Sequence, residues 1–435
     1  MSSFEVTGGK KLKGEITPQG AKNEALQIIS AVLLTHEKVT VHNIPDIADV
    51  NLQIELLEEL GVKIERTDRH TCIFQADDVN VEFLHSDTYY KKSGRLRGSV
   101  MLAGPLLARY KKAFIPKPGG DKIGRRRLDT HIKGFEKLGA KISYDTTDAF
   151  FHLNTKQLKG SKLLLDEPSV TGTANLLMAA VMAEGNSTIY NAACEPYIQQ
   201  LCAMLNRMGG KIGGIGSNML VVEGVNKLSG TDHTMLPDMI EVGSFIGLAA
   251  MTQSDITIKN AGVAHLGVIP EKFQQLGIKL IFEGDDIHIP EQDVYEIQTF
   301  LDGSMLTIYD HPWPGFTPDL LSIILVVATQ AKGSVLIHQK MFESRLFFVD
   351  KIIEMGARIV LCDPHRAVVI GLEREHSLRG ITMSSPDIRA GVALLIAALS
   401  AEGKSTIQNI EQIDRGYQDI DSRLRDLGAD IRRVN

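Results

Sequence analysis

IIEMGARIV, running from Ile352 to Val360, joins a helix-like run to a short apolar alternation through a Met-Gly step. Five further copies occur: LEELGVKIE around Gly61, FEKLGAKIS around Gly139, LNRMGGKIG around Gly209, FQQLGIKLI around Gly277 and LRDLGADIR around Gly428. Glycine after a last helical turn supplies the positive φ of a helix C-terminus. The two-residue alternation after it predicts a half-buried strand. Neighbouring glycines lie between 68 (277 − 209) and 79 (356 − 277) residues apart. That period is too long for stacked solenoid repeats of about 20–50 residues. The chain therefore reads as six compact units of one kind.

An offset signature supports the count. An apolar helix runs into a tight turn and a β-branched strand that ends near Asn, in LLTHEKVTVHN (Leu33 to Asn43), MAEGNSTIYN (Met182 to Asn191), MTQSDITIKN (Met251 to Asn260) and SAEGKSTIQN (Ser400 to Asn409). Looser copies are LLARYKKAFIP and ATQAKGSVLIH. Each unit thus holds helices and several strands, which makes the class α/β. Single cores stop growing near 250–300 residues, so 435 residues predict two lobes, and a cleft between lobes is a favoured small-molecule site.

Composition narrows the function classes. With 43% apolar and 23% charged residues the chain is an ordinary folded protein, and a net charge of −6 argues against broad nucleic-acid binding. The longest apolar stretches, such as Val392 to Ala401 and Leu320 to Ala328, fall short of the roughly 20 residues that cross a bilayer. No apolar leader follows Met1, so the expected setting is cytoplasmic, with no membrane partner. Cys72, Cys194, Cys202 and Cys362 have no metal-ligand spacing and are expected to be core thiols. No metal and no cofactor are expected.

Cationic residues outside the repeat pattern carry the chemistry. Lys22 and Asn23 follow Gly20 at the start of an apolar helix that runs through Leu34, a place suited to phosphate, although a solvated lysine is the plainer reading. From Ile115 to Arg127, Pro116, Pro118, Gly119, Gly120 and Gly124 break regular structure and predict a mobile lid with Asp121 at its tip and Arg125, Arg126 and Arg127 behind it. In the last half, Asp319, Arg345, Asp387, Arg389, Asp414 and Arg415 sit at corresponding strand-to-helix joints. Helix caps and exposed ion pairs explain any one of them. Joints repeated on one side of like units favour a shared anion site.

Six motifs taken together resemble one family: GAKN (Gly20 to Asn23), PGG-x-x-IG-x-R (Pro118 to Arg126), DEPSVTGTA (Asp166 to Ala174), LPDMIEVGSF (Leu236 to Phe245), FESR (Phe342 to Arg345) and IDRGY (Ile413 to Tyr417). With them the chain is similar over its whole length to the UDP-N-acetylglucosamine 1-carboxyvinyltransferase family of enolpyruvyl transferases. The resemblance implies an inside-out α/β barrel of two lobes, each of three βαβαββ units: residues 22–235 inserted, with a lid at 115–127, and 1–21 plus 236–435 terminal. It implies transfer of the enolpyruvyl group of phosphoenolpyruvate to the 3-hydroxyl of UDP-N-acetylglucosamine by addition and elimination. This is the first committed step of peptidoglycan synthesis. By the same resemblance Lys22, Arg126 and Arg415 grip the phosphate of phosphoenolpyruvate, and Arg345 and Arg389 its carboxylate. Asn23 and Asp319 bind the sugar, Met341 is a further substrate contact, and Arg97 supports the site from behind. Ser169, Val170 and Thr171, with Arg127, Leu128 and the following residues to His131, meet the uridine and diphosphate. The catalytic set is Asp121, Asp319, Lys22, Arg415 and Asp387, with Asp319 as the base near the sugar hydroxyl or, in the bland alternative, a helix cap.

By the same resemblance, most family members carry a lid cysteine after PGG where this chain has Asp121. An aspartate there is expected to donate a proton to C3 only in the closed ternary state, and to resist fosfomycin-like epoxides because thiolate is the better nucleophile. Two other functions stay open: a 3-phosphoshikimate enolpyruvyl transferase, and a non-catalytic UDP-sugar-binding homologue.

Overall fold

The computed structural model describes residues 2–116, 119, 124, 127–146 and 150–434. All six repeat glycines close helices in the same way, with φ between 91° (Gly277) and 108° (Gly356). Each glycine N–H bonds the carbonyl three residues back, and the next N–H bonds the carbonyl five back, as Gly356 does to Ile353 at 2.8 Å and Ala357 to Ile352 at 3.1 Å. This paired closure satisfies carbonyls that the helix end leaves open. Asn43, Asn191, Asn260 and Asn409, which end the offset signature, are also left-handed, with φ from 50° to 61°.

The chain divides into two compact units. Apart from the stretch 121–125, one comprises Met1–Gln19 and Pro237–Asn435, and the other Gly20–Gly120 and Arg126–Leu236. Among the described residues each contains three sheets. In five sheets a parallel pair is extended by two antiparallel strands. An example is Leu306–Tyr309 parallel to Ser334–His338, followed by Arg366–Ile370 and Arg358–Asp363. The sixth, from Lys112–Pro116, Phe150–Asn154 and Lys141–Asp145, is antiparallel throughout.

Distant parts of the chain close both units. In the terminal unit Ser3–Thr7 lies between Lys404–Gln408 and Asp430–Val434, antiparallel to both. Thr231–Thr234 returns to pair in parallel with Lys38–His42 in the inserted unit. Helices fill the middle. Met239–Met251, Leu321–Ala328 and Ile388–Ser400 pack on one another in the terminal unit, and every residue of the first two is buried. A helix apolar all round has no face to offer water, so it lies inside and the sheets lie outside. No helix among the described residues is long and apolar enough to cross a membrane.

Three expectations need correction. The strands that follow the repeat glycines are sheet edges; four of them, such as Lys63–Asp68, are largely exposed rather than half-buried, whereas Lys211–Gly213 and Asp430–Val434 each keep a buried isoleucine between exposed neighbours. An edge strand has one neighbour, and Lys63, Lys141, Lys211 and Arg358 open four of them, charges that discourage edge-to-edge pairing. The expected lid does not begin at Ile115, because Lys112–Pro116 is a strand paired with Phe150–Asn154. Only Cys72 and Cys202 are core thiols; Cys194 is half-buried and Cys362 exposed.

Candidate active site

In the terminal unit Asp319 stands in the short turn Pro318–Leu320, ahead of the buried helix Leu321–Ala328. Thr317 caps that turn by accepting from the Asp319 N–H. The Asp319 carboxylate is therefore not the cap. It spans two guanidiniums: Oδ1 accepts from Arg345 Nη2 at 2.6 Å and Oδ2 from Arg389 Nε at 3.1 Å.

Both arginines are buried, at 7% and 4% exposure. Nε and Nη1 of Arg345 and Nη1 of Arg389 have no hydrogen-bond partner among the described residues. Asp387 Oδ1 stands 3.8 Å from Arg345 Nη1, beyond hydrogen-bond reach. Unmet donors on a buried cation are costly, and guanidinium forks match the oxygens of a carboxylate. This arrangement is suited to receiving a second carboxylate.

Neighbouring elements fix Arg389. Asp387 caps the helix Ile388–Ser400, accepting from the N–H groups of Arg389 at 2.8 Å and Ala390 at 2.9 Å, so the bland reading of Asp387 as a cap holds and the cap also positions Arg389. The Arg389 guanidinium lies 5.5 Å from the centre of the Tyr417 ring, whose hydroxyl is 2.8 Å from Ser244 Oγ. Burial works against its charge, but Asp319, Tyr417 and Asp238 together hold the Arg389 pKa well above its usual value.

Arg415 ends the short helix Glu411–Asp414 and donates to Gln412 Oε1 at 2.8 Å. Asp414 is taken up by a bidentate pair with Arg433 at 2.7 and 2.8 Å, so at that joint the ion-pair reading is right. Met341 is exposed at 40%, on a turn held from beneath by fully buried Asp310, whose carboxylate accepts the N–H groups of Lys340 and Met341. Desolvation pushes the pKa of Asp310 up.

In the inserted unit Lys22 opens the helix Lys22–Ala31, and Asn23 follows it, half-buried. The helix ends at Ala31 and continues as a 3-10 turn, Val32–Leu34. Lys22 is not solvated: it is 7% exposed, and its Nζ donates to buried Asp49 Oδ2 at 2.6 Å. Glu24, two residues on, accepts the Leu236 N–H, and its other oxygen is 2.8 Å from Nε2 of buried His233.

The second cluster of this unit surrounds His131, which lies on the helix Asp129–Lys137 and is 1% exposed. Its Nε2 is 3.2 Å from Thr171 Oγ1 and its Nδ1 is 3.0 Å from Asn175 Nδ2. Desolvation and the nearby Arg97 charge push its pKa down to about 3, so the ring is neutral. Ser169 caps the helix Val170–Ala180 by accepting from the Gly172 N–H, and Thr171 lies in its first turn. Arg97 is half-buried at the start of the turn Arg97–Leu102, Leu128 is buried, and Arg127 is exposed. Asp121 and Arg126 lie outside the described residues.

Among the expected residues two groups stand out, Asp319 with Arg345, Asp387 and Arg389, and Arg97 with His131 and Thr171; Lys22 donates to Asp49 and Arg415 to Gln412 instead. Asn175, Asp49, Tyr417, Ser244 and Asp310 were missed as individual site residues. Tyr417 ends the IDRGY motif, and that signal could have marked it.

Comparison with known proteins decides the family. The family model described as EPSP synthase (3-phosphoshikimate 1-carboxyvinyltransferase) matches residues 6–424. The chain is 65% identical to the UDP-N-acetylglucosamine 1-carboxyvinyltransferase of Bacteroides thetaiotaomicron and 63% identical to that of Porphyromonas gingivalis, covering 100% of both chains in each case. The chain belongs to the UDP-N-acetylglucosamine 1-carboxyvinyltransferase family. A family member from Borreliella burgdorferi is still 48% identical over 100% of this chain and 99% of its own. Among solved structures, the enolpyruvyl transferase NikO from Streptomyces tendae covers 100% of this chain and 99% of its own at 20% identity and a TM-score of 0.87. EPSP synthase from Acinetobacter baumannii covers 100% of both at 18% identity and a TM-score of 0.73. These structures share the fold of this chain.

Proposed function

We propose that this chain transfers the enolpyruvyl group of phosphoenolpyruvate to the 3-hydroxyl of UDP-N-acetylglucosamine and releases phosphate, in the cytoplasm, as the first committed step of peptidoglycan synthesis. One observation carries the reading: buried Arg345 and Arg389, bridged by Asp319, retain three N–H-bearing atoms without a partner among the described residues. The carboxylate of phosphoenolpyruvate takes those donors. As it does, Asp319 exchanges part of its hold on the guanidiniums for the sugar hydroxyl and accepts its proton as oxygen attacks C2. C3 gains a proton from Asp121; the tetrahedral ketal then loses phosphate from C2 while a C3 proton returns to the Asp121 carboxylate, which restores the C2–C3 double bond. Lys22, Arg126 and Arg415 hold that phosphate and stabilise it as it leaves. Asn23 and Met341 meet the sugar, and Ser169, Val170, Thr171 and residues 127–131 the nucleotide, with Arg97 behind them.

Phosphate release is the test. UDP-N-acetylglucosamine with phosphoenolpyruvate is expected to liberate one phosphate per product. Release only with shikimate 3-phosphate reassigns the acceptor, and binding of the UDP-sugar with no release from either pair makes the chain a sensor.

A further inference from the structure

Among the described residues Asn175 bonds to no member of the catalytic set, yet it is completely buried and uses both ends of its amide. Its Oδ1 accepts the Gly104 N–H at 2.7 Å, and its Nδ2 donates to the Val100 carbonyl at 2.7 Å and meets His131 Nδ1 at 3.0 Å. A backbone N–H and a backbone carbonyl cannot exchange roles, so the amide has a single orientation. Nδ1 of the neutral His131 ring must then be the acceptor, and the one ring proton sits on Nε2, facing Thr171 Oγ1 at 3.2 Å. No other hydrogen bond of the Thr171 hydroxyl is found among the described residues. With its oxygen accepting from His131, the hydroxyl is left with a proton to give.

We propose that Asn175 is a positioning residue for the nucleotide: through the His131 tautomer it makes the Thr171 hydroxyl an obligate hydrogen-bond donor to an oxyanion of the UDP-sugar diphosphate. This rests on the function proposed above and deepens it. Thr171 lies in the first turn of an eleven-residue helix, where the exposed N–H groups and dipole also favour an anion. Its donor polarity is set from inside the fold, through a chain that begins at two backbone groups. A hydroxyl free to rotate would lose part of that preference by accepting from water or a neighbouring cation.

The test is a double-mutant cycle in the full chain, with KM for UDP-N-acetylglucosamine, KM for phosphoenolpyruvate and kcat as readouts. A lost hydrogen bond to a charged partner is worth about a tenfold change or more. Thr171→Val is expected to raise KM for the nucleotide sugar by about that factor, more than it alters kcat or KM for phosphoenolpyruvate, and Thr171→Ser to restore it. Asn175→Ala is expected to raise the same KM, and Asn175→Ala with Thr171→Val to be no worse than Thr171→Val alone. Multiplying effects, or an unchanged KM in Thr171→Val, overturn the proposal. If Asn175→Ala does not fold, nitrogen NMR of His131 in the unsubstituted protein decides: a proton on Nε2 supports the relay and a proton on Nδ1 ends it. That spectrum needs no turnover. Absence of phosphate release with a proton on Nε2 therefore removes the enzymatic reading while leaving the relay intact.

Discussion

Two residues separate what the surroundings set from what the residue type sets. His131 is buried with no carboxylate partner among the described residues, and its pKa is pushed down to about 3. The unfolded chain takes up a proton near pH 6.5 and the folded chain does not, so stability is full above about pH 6.5 and falls as the pH drops towards 3. Between pH 7 and pH 5 this single group removes about 2 kcal/mol by that linkage. His131→Gln, which cannot titrate, is expected to show a correspondingly flatter acid dependence in urea unfolding midpoints; equal slopes in the two proteins contradict it. Asp121 is the opposite case, a side chain whose chemistry changes with the residue itself. As a carboxylate it opens epoxides poorly, whereas thiolate opens them readily. The unsubstituted protein is expected to keep its activity through preincubation with fosfomycin, and Asp121→Cys to lose it irreversibly, as followed by residual phosphate release. Asp121→Asn is expected to lose most turnover, and near-normal rates would remove Asp121 from proton transfer.

At the scale of elements, the six glycine closures separate backbone need from space. A Cβ on Gly277 would meet Glu296 N and O at 2.5 Å, whereas one on Gly356 meets nothing within 4 Å, although both have positive φ. Gly356→Ala is expected to cost about 1 kcal/mol, the strain of a left-handed alanine. Gly277→Ala is expected to cost measurably more, because backbone has to move; thermal unfolding of the pair reads the difference, and equal losses contradict it. These closures were legible in the sequence because helix ends are local: a glycine, the turn before it and the strand after it lie within nine residues. The edge position of those strands was not, since whether Lys63–Asp68 has one neighbour or two depends on Thr71–Gln75 and on strands from other parts of the chain. The candidate site divides along the same line. Arg345 and Arg389 could be singled out by type and repeated position, but not the bridge that Asp319 makes between them. Asn175 gave no signal at all, because its role is defined by a carbonyl and an N–H about seventy residues away.

At the scale of the molecule, the terminal unit is closed by its own first strand. Ser3–Thr7 fills the place between Lys404–Gln408 and Asp430–Val434, with Phe4 and Val6 buried, so removing it leaves two strands without their shared partner and opens the core. Deletion of residues 1–8 is expected to abolish cooperative folding of that unit. The same register places Ser3 opposite Val434 in an antiparallel pair, so these two residues lie side by side. A short Gly/Ser linker from residue 435 to residue 1 therefore needs only a hairpin connection. The turn at Leu301–Gly303 is exposed and offers a place to reopen the chain. A permutant joined at the old ends and opened between Leu301 and Asp302 keeps every sheet named above. It is expected to melt within a few degrees of the unpermuted chain and to retain phosphate release, while the deletion variant loses both. Covalent order is then dispensable for this unit and the inserted strand is not. A permutant that fails to fold while the deletion survives reverses that conclusion.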